Sequence, residues 1–120
     1  MTTEVWGGAR VMVAAVDGPP VATGDDALTL IGDALGAGAD LVAIPTARLH
    51  PGFLNLSTRM AGEVIQKFTN YRVRLAIVGD ISGATGSSEA LKAFVIESNR
   101  GDGVWFVDSL AALRDRLEAA

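Results

Sequence analysis

The sequence predicts an α/β domain whose mixed, mostly parallel sheet has four or five strands, with an N-terminal hairpin and about four helices. Three observations predict it. Short apolar stretches rich in β-branched residues recur along the chain, at residues 9–16, 41–44, 73–78 and 104–107. Longer segments with apolar residues at helical spacing separate them. After the hairpin the order is helix, strand, helix, strand, helix, strand, helix, with short connections, and such alternation favours parallel strands joined by right-handed crossovers.

In chain order, residues 9–16 (ARVMVAAV) form the first strand. Asp17-Gly18-Pro19-Pro20 is a turn, and the prolines restrict residues 21–23 to a short edge strand that completes the hairpin. Residues 1–8 read as a flexible leader; Trp6 belongs to it or anchors an interface. Thr23 or Asp25 caps a first helix carrying Leu28, Ile31 and Leu35 on one stripe, and Gly36-Ala37-Gly38 ends it. Residues 41–44 (LVAI) are a buried strand that Pro45 stops. Residues 46–57 are irregular. A helix from Thr58 or Arg59 to about Phe68 buries Met60, Ala61, Val64, Ile65 and Phe68. Residues 73–78 (VRLAIV) form the strand around which the chain is organised. A small-residue loop, residues 79–86, leads to a helix capped by Ser87 or Ser88 that turns Leu91, Phe94 and Val95 to the core. Residues 98–103 are a turn cluster, and residues 104–107 (VWFV) the last strand. Asp108 or Ser109 caps the final helix, with Leu110, Leu113 and Leu117 on one side and Arg114, Asp115, Arg116 and Glu118 on the other.

Residues 1–120 make one domain, long enough to bury a core. A formal net charge of −4 argues against a dominant nucleic-acid surface, while local basic pairs such as Arg72 and Arg74 could still bind a phosphate. The absence of cysteine excludes disulfides, thiol chemistry and thiolate metal sites. The start, Met-Thr-Thr-Glu, lacks the basic segment and apolar run of a signal peptide. The apolar runs are far shorter than the roughly 20 residues of a membrane span. The expectation is a cytoplasmic protein with no cofactor and no metal, whose partner is another protein or a small ligand; a homodimer made by the exposed edge strand or the first helix is compatible with either.

Ligands of open α/β sheets favour the carboxyl ends of the parallel strands. Thr46, Asp80, Ser82 and Asp108 stand there and are the candidate ligand-binding residues. The loop from Asp80 to Gly86 opens a helix, where backbone N–H groups can hold an anion. It matches neither dinucleotide nor Walker spacing and has no lysine, so an ordinary loop is the competing reading. Asp80 is an acid, a base, a cation ligand or simply a turn carboxylate. His50, the only histidine, sits beside Pro51-Gly52 and reads as a surface loop residue. A Ser-His-Asp set from Ser57 or Ser82, His50 and Asp80 has no G-x-S-x-G elbow behind it. Asn70, Tyr71, Arg72, Asn99 and Arg100 group at the opposite rim, as a hydrogen-bonded cluster fixing two helix-to-strand turns or as a partner patch. No residue is assigned a catalytic role.

Ala61-Gly62-Glu63, Gln66-Lys67-Phe68, Asn70-Tyr71-Arg72-Val73, Leu75-Ala76-Ile77-Val78-Gly79-Asp80, Phe94, Glu97-Ser98-Asn99 and Gly101 resemble the bacterial family called domain of unknown function 4180. The likeness spans almost the whole chain and implies no activity. An acidic residue is usual in that family where this chain has Asn55. The architecture is also similar to STAS domains of anti-sigma-factor antagonists. That resemblance implies a regulatory, non-catalytic module whose helix-opening serine is phosphorylated. Asn55, Ser57 and Thr58 occupy the corresponding place, although the Asp-Ser-x-Gly motif is absent, and the last strand and helix look alike. The alternative is a small enzyme, or a nucleotide or anion binder, using Asp80 to Gly86.

Overall fold

A computed structural model describes residues 2–119. A five-stranded sheet runs in the order β1 (Thr2–Trp6), β2 (Ala9–Val13), β3 (Leu41–Pro45), β4 (Arg74–Val78), β5 (Val104–Val107). Only β1 is antiparallel to its neighbour. Five helices accompany it: α1 (Gly24–Gly36), α2 (Met60–Tyr71), α3 (Ser82–Gly86), α4 (Glu89–Arg100) and α5 (Leu110–Glu118).

Side-chain alternation sorts the strands into two faces. On the first, Met12, Val42, Ile44, Leu75, Ile77 and Phe106 pack beneath α1 and α2, with Phe94 and Val95 of α4 joining them. On the second, Val11, Leu41, Ala43, Ala76, Val78 and Trp105 lie against Leu113 and Leu117 of α5 alone. The second face therefore has one helical cover where the first has three.

The N-terminal hairpin is not the one the prolines suggest. β1 pairs with β2 through Gly7-Gly8, and residues 2–6 are a strand rather than a flexible leader. Both glycines have positive φ, 56° and 82°, the conformation of a two-residue hairpin turn. Val21 instead makes an isolated parallel bridge with Leu49. Arg48 holds the intervening turn away from β2, donating from Nε to the Pro19 carbonyl and from Nη1 to that of Ala15.

Two helical stripes also differ. α1 buries Ala27, Leu30, Ile31 and Ala34, leaving Leu35 exposed, because its small residues face α2. On α5, Leu113 and Leu117 are buried while Leu110 is 39% exposed. The capping residues agree with the sequence: Thr23, Ser88 and Ser109 accept from the first turns of α1, α4 and α5.

Asp26 completes a capping box by accepting from the Ala22 and Thr23 N–H groups at 2.9 Å. Those bonds, the Ala22 bond foremost, hold its carboxyl below the usual range. Its stabilisation is therefore present above the unfolded pKa and lost as pH falls through the lower folded one. Asp26→Ala is expected to cost about 1 kcal/mol at pH 7 in urea unfolding. The gap from wild type should shrink once the medium is acid enough to protonate Asp26 in the folded chain. A gap constant across that range would contradict the capping role.

Candidate functional site

Residues 50–59 form a locally bonded scaffold over the first face. Phe53 is fully buried and pins the segment to the core. His50 Nδ1 accepts from the Gly52 N–H at 2.9 Å, closing the first bend. Asn55 Oδ1 accepts from the Ser57 N–H at 3.1 Å and from the Ser57 hydroxyl at 2.7 Å. The Thr58 hydroxyl lies 2.9 Å from the Gly52 carbonyl and 2.8 Å from that of Asn55. A short 3₁₀ turn, Leu56–Thr58, results, and Arg59 follows at φ 65° before α2 begins. Ser57 and Thr58 thus belong to that turn, and Met60 is the first residue of the helix. The sequence places the helix start one or two residues earlier because nothing local announces a left-handed arginine. Leu56 forms a ridge between two surface depressions of about 410 and 400 Å³. Ala84 and Ser88 border the first; Gln66 and Phe94 border the second.

At the carboxyl ends of the strands, Asp80, Ser82 and Asp108 border one depression of about 350 Å³. Thr46 does not line it. Its side chain fills the space beside Gly79, where a Cβ would fall 2.3 Å from Thr46 Oγ1. Residues 79–86 are not all loop, since α3 forms within them. Asp80 Oδ1 accepts from the Ser82 N–H at 2.9 Å, and this bond lowers the Asp80 pKa. That N–H is thereby taken by the protein's own carboxylate, and two acidic side chains border the hollow. Its chemistry suits a hydrogen-bond donor or a cation better than an anion. No hydrogen bond links His50 to Ser57, Ser82 or Asp80 among the described residues; His50 and Ser57 bond within residues 50–57 and Asp80 bonds the Ser82 N–H.

The polar cluster expected at the amino rim is divided. Asn70 and Tyr71 end α2 and Arg72 caps it at φ 57°; all three are exposed, Tyr71 by 52%. Arg100 pairs with Glu97 in a solvated i,i+3 bridge. Asn99 points elsewhere, to the outer edge of β5. It accepts from the Phe106 N–H at 2.7 Å and donates to the Phe106 carbonyl at 3.2 Å. The amide so replaces a neighbouring strand at that position, satisfying a donor and an acceptor each worth about 1 kcal/mol when paired.

A grouping absent from the sequence reading lies at the amino rim of the second face. Arg74 and Arg116 both lie over the Trp105 indole, with Cζ atoms 4.5 and 3.8 Å from its centroid. Arg116 is half-buried there, although helical spacing assigns it to the solvent side of α5. Arg74 Nε donates to the Asp102 carbonyl at 2.7 Å, Arg116 Nη2 to the Asn99 carbonyl, and the indole N–H to the Gly101 carbonyl at 2.7 Å. A cavity of about 510 Å³ opens beside them, bordered by Gly7, Ala9 and Leu117. Among the described residues, no cluster of three or more His, Asp or Glu side chains is placed to hold a metal, and no helix is long and apolar enough to cross a membrane.

Fold and surface together define a small α/β domain with a mixed sheet, an exposed, locally hydrogen-bonded segment before α2 and two hollows at opposite rims. Comparison with known families places it further: the model for "Domain of unknown function (DUF4180)" matches residues 6–117. The chain belongs to that family. No curated protein and no solved structure matches it.

Proposed function

We propose that the chain is a non-catalytic binding module of regulatory type, which presents residues 54–59 and the adjoining start of α2 to a protein partner. One observation carries this reading. The segment is rigid through its own hydrogen bonds and the buried Phe53, yet it holds Ser57, Thr58 and Arg59 in solvent. Preorganised exposed groups on a firm scaffold lose little freedom on binding. Arg59 adds to it, since a non-glycine residue in the left-handed region costs about 1 kcal/mol or more, and such strain gathers where a surface is used.

The test is photo-cross-linking in the native host with benzoylphenylalanine at Leu56, and at Leu110 as a control. A discrete adduct at position 56 that is missing at position 110 is the expected result. Equal labelling at both positions, or none at either, refutes the binding surface. Ser57→Asp adds negative charge in solvent without entering the core, so it should fold as wild type and lower the yield at position 56. An unchanged yield removes the phosphoswitch version.

A second reading is favoured by the hollow that Asp80 and Asp108 share. There the module would hold a small cationic or polyhydroxylated ligand. Native mass spectrometry of the gently purified protein, before and after denaturation, distinguishes it: a retained mass lost on denaturation and absent from Asp80→Ala supports this reading.

A further inference from the structure

We propose that Arg74 and Arg116, held over Trp105 at the amino rim of the second face, form a binding site for an oxyanion: a phosphate or carboxylate group borne by a small molecule. Three observations lead there. The first is unbalanced charge. Both guanidiniums lie over one indole, so their carbons are within about 8 Å of one another, which is one Debye length at physiological ionic strength. The two ion pairs among the described residues are Arg100–Glu97 and Arg114–Glu118, so neither Arg74 nor Arg116 has a carboxylate of a described residue within salt-bridge distance.

The second observation is unspent donors. Each guanidinium carries five N–H bonds in a planar fork. The Arg74 Nε bond to the Asp102 carbonyl and the Arg116 Nη2 bond to the Asn99 carbonyl each use one edge of that fork. The remaining N–H groups have no side-chain acceptor among the described residues. Stacking on the indole and the carbonyl bonds fix the orientation of both groups, so an incoming anion meets donors that are already placed. An oxyanion joining the two forks converts their repulsion into two sets of charge-assisted hydrogen bonds.

The third observation is space. The cavity of about 510 Å³ beside the pair lies in the range of small-molecule sites. Gly7 belongs to its wall, and a Cβ there would fall 2.1 Å from the Leu117 carbonyl, so the β1–β2 turn and the last turn of α5 meet without a side chain between them. Ala9 and Leu117 give the hollow an apolar flank. Trp105 is only 5% exposed and has both guanidiniums over its ring, so it orients the cations and does not itself stack on the ligand. Asp102 borders the same hollow from the exposed turn before β5. Its carboxylate opposes a second negative group in the hollow.

The site is independent of residues 54–59, and its test leaves that surface untouched. The full chain, labelled with ¹⁵N, is titrated with inorganic phosphate and separately with succinate at constant ionic strength. The Arg Nε–H and Trp105 indole resonances are followed. Saturable shifts are expected with an apparent Kd of about 1 mM or tighter for at least one anion. Phosphate alone, or succinate alone, identifies which oxyanion the site takes. Arg116→Lys keeps the charge and removes the planar fork, so affinity should fall at least about tenfold. Arg114→Lys, on the same helix, should bind as wild type. Shifts that do not saturate, or an Arg116→Lys protein that binds as tightly as wild type, overturn the proposal. Should Arg116→Lys fail to fold, the wild-type titration decides alone.

Discussion

Phe53→Ala is expected to destabilise the fold by about 3–5 kcal/mol, the range for emptying a buried aromatic site. Phe53 lies outside every helix and strand, yet no part of it reaches solvent, and it packs within the cluster that contains Ile44, Val64 and Ile77. It is the link between the sheet and residues 50–59. Losing it should therefore act twice, lowering the urea midpoint and admitting protease to residues 54–59 while the sheet is still folded. Phe53→Leu refills most of the volume and should cost less than half as much. A loss below about 1 kcal/mol for Phe53→Ala would mean that the segment holds its place without the anchor.

Gly79→Ala is expected to cost about 2–4 kcal/mol, combining a backbone penalty with a collision. Gly79 sits at φ 146°, where a side chain is strained, and its N–H donates to the Val107 carbonyl at 2.9 Å. The new methyl would meet Thr46 Oγ1 at 2.3 Å and Cγ2 at 2.8 Å. Because Thr46 follows β3 and Gly79 follows β4, the clash would prise apart two neighbouring strand ends. Thr46→Ala removes both of those atoms, so the double variant should recover part of the loss, and a thermodynamic cycle measures the coupling. Additive effects of the two substitutions would show that the side chains do not meet.

Strands β2 to β5 and helices α1, α2, α4 and α5 were legible because their patterns and caps are local. Leu41-Val42-Ala43-Ile44 reads as a buried strand from composition alone, and Ser109 reads as a cap from position alone. β1 was obscured by polar residues at its start, since Thr2, Thr3 and Glu4 satisfy a solvated strand as readily as a loose end. Gly7-Gly8 between Trp6 and Ala9 was the available signal, outweighed by the more conspicuous Pro19-Pro20. α3 was hidden because Gly83 and Gly86 are poor helix formers. Its single turn is stabilised by bonds from Thr85 and Ser87 to nearby carbonyls. The carboxyl-rim residues Asp80, Ser82 and Asp108 could be grouped from strand order, whereas Thr46 was spent on packing against Gly79. The Arg74–Trp105–Arg116 stack could not be foreseen. It joins two strands and a helix far apart in the chain, and Arg116 reaches inward by length where its Cβ position points to solvent.

The two margins of the sheet are unequal. On one side, Asn99 occupies the outward N–H and carbonyl of Phe106, as a hydrogen-bonding substitute for another chain. On the other, no strand of the described residues lies beyond β1, whose Val5 is 58% exposed. A fibre needs both margins, one to receive and one to offer. Among the described residues, β1 is the margin left open to pairing. One amide side chain thus blunts the β5 margin at Phe106.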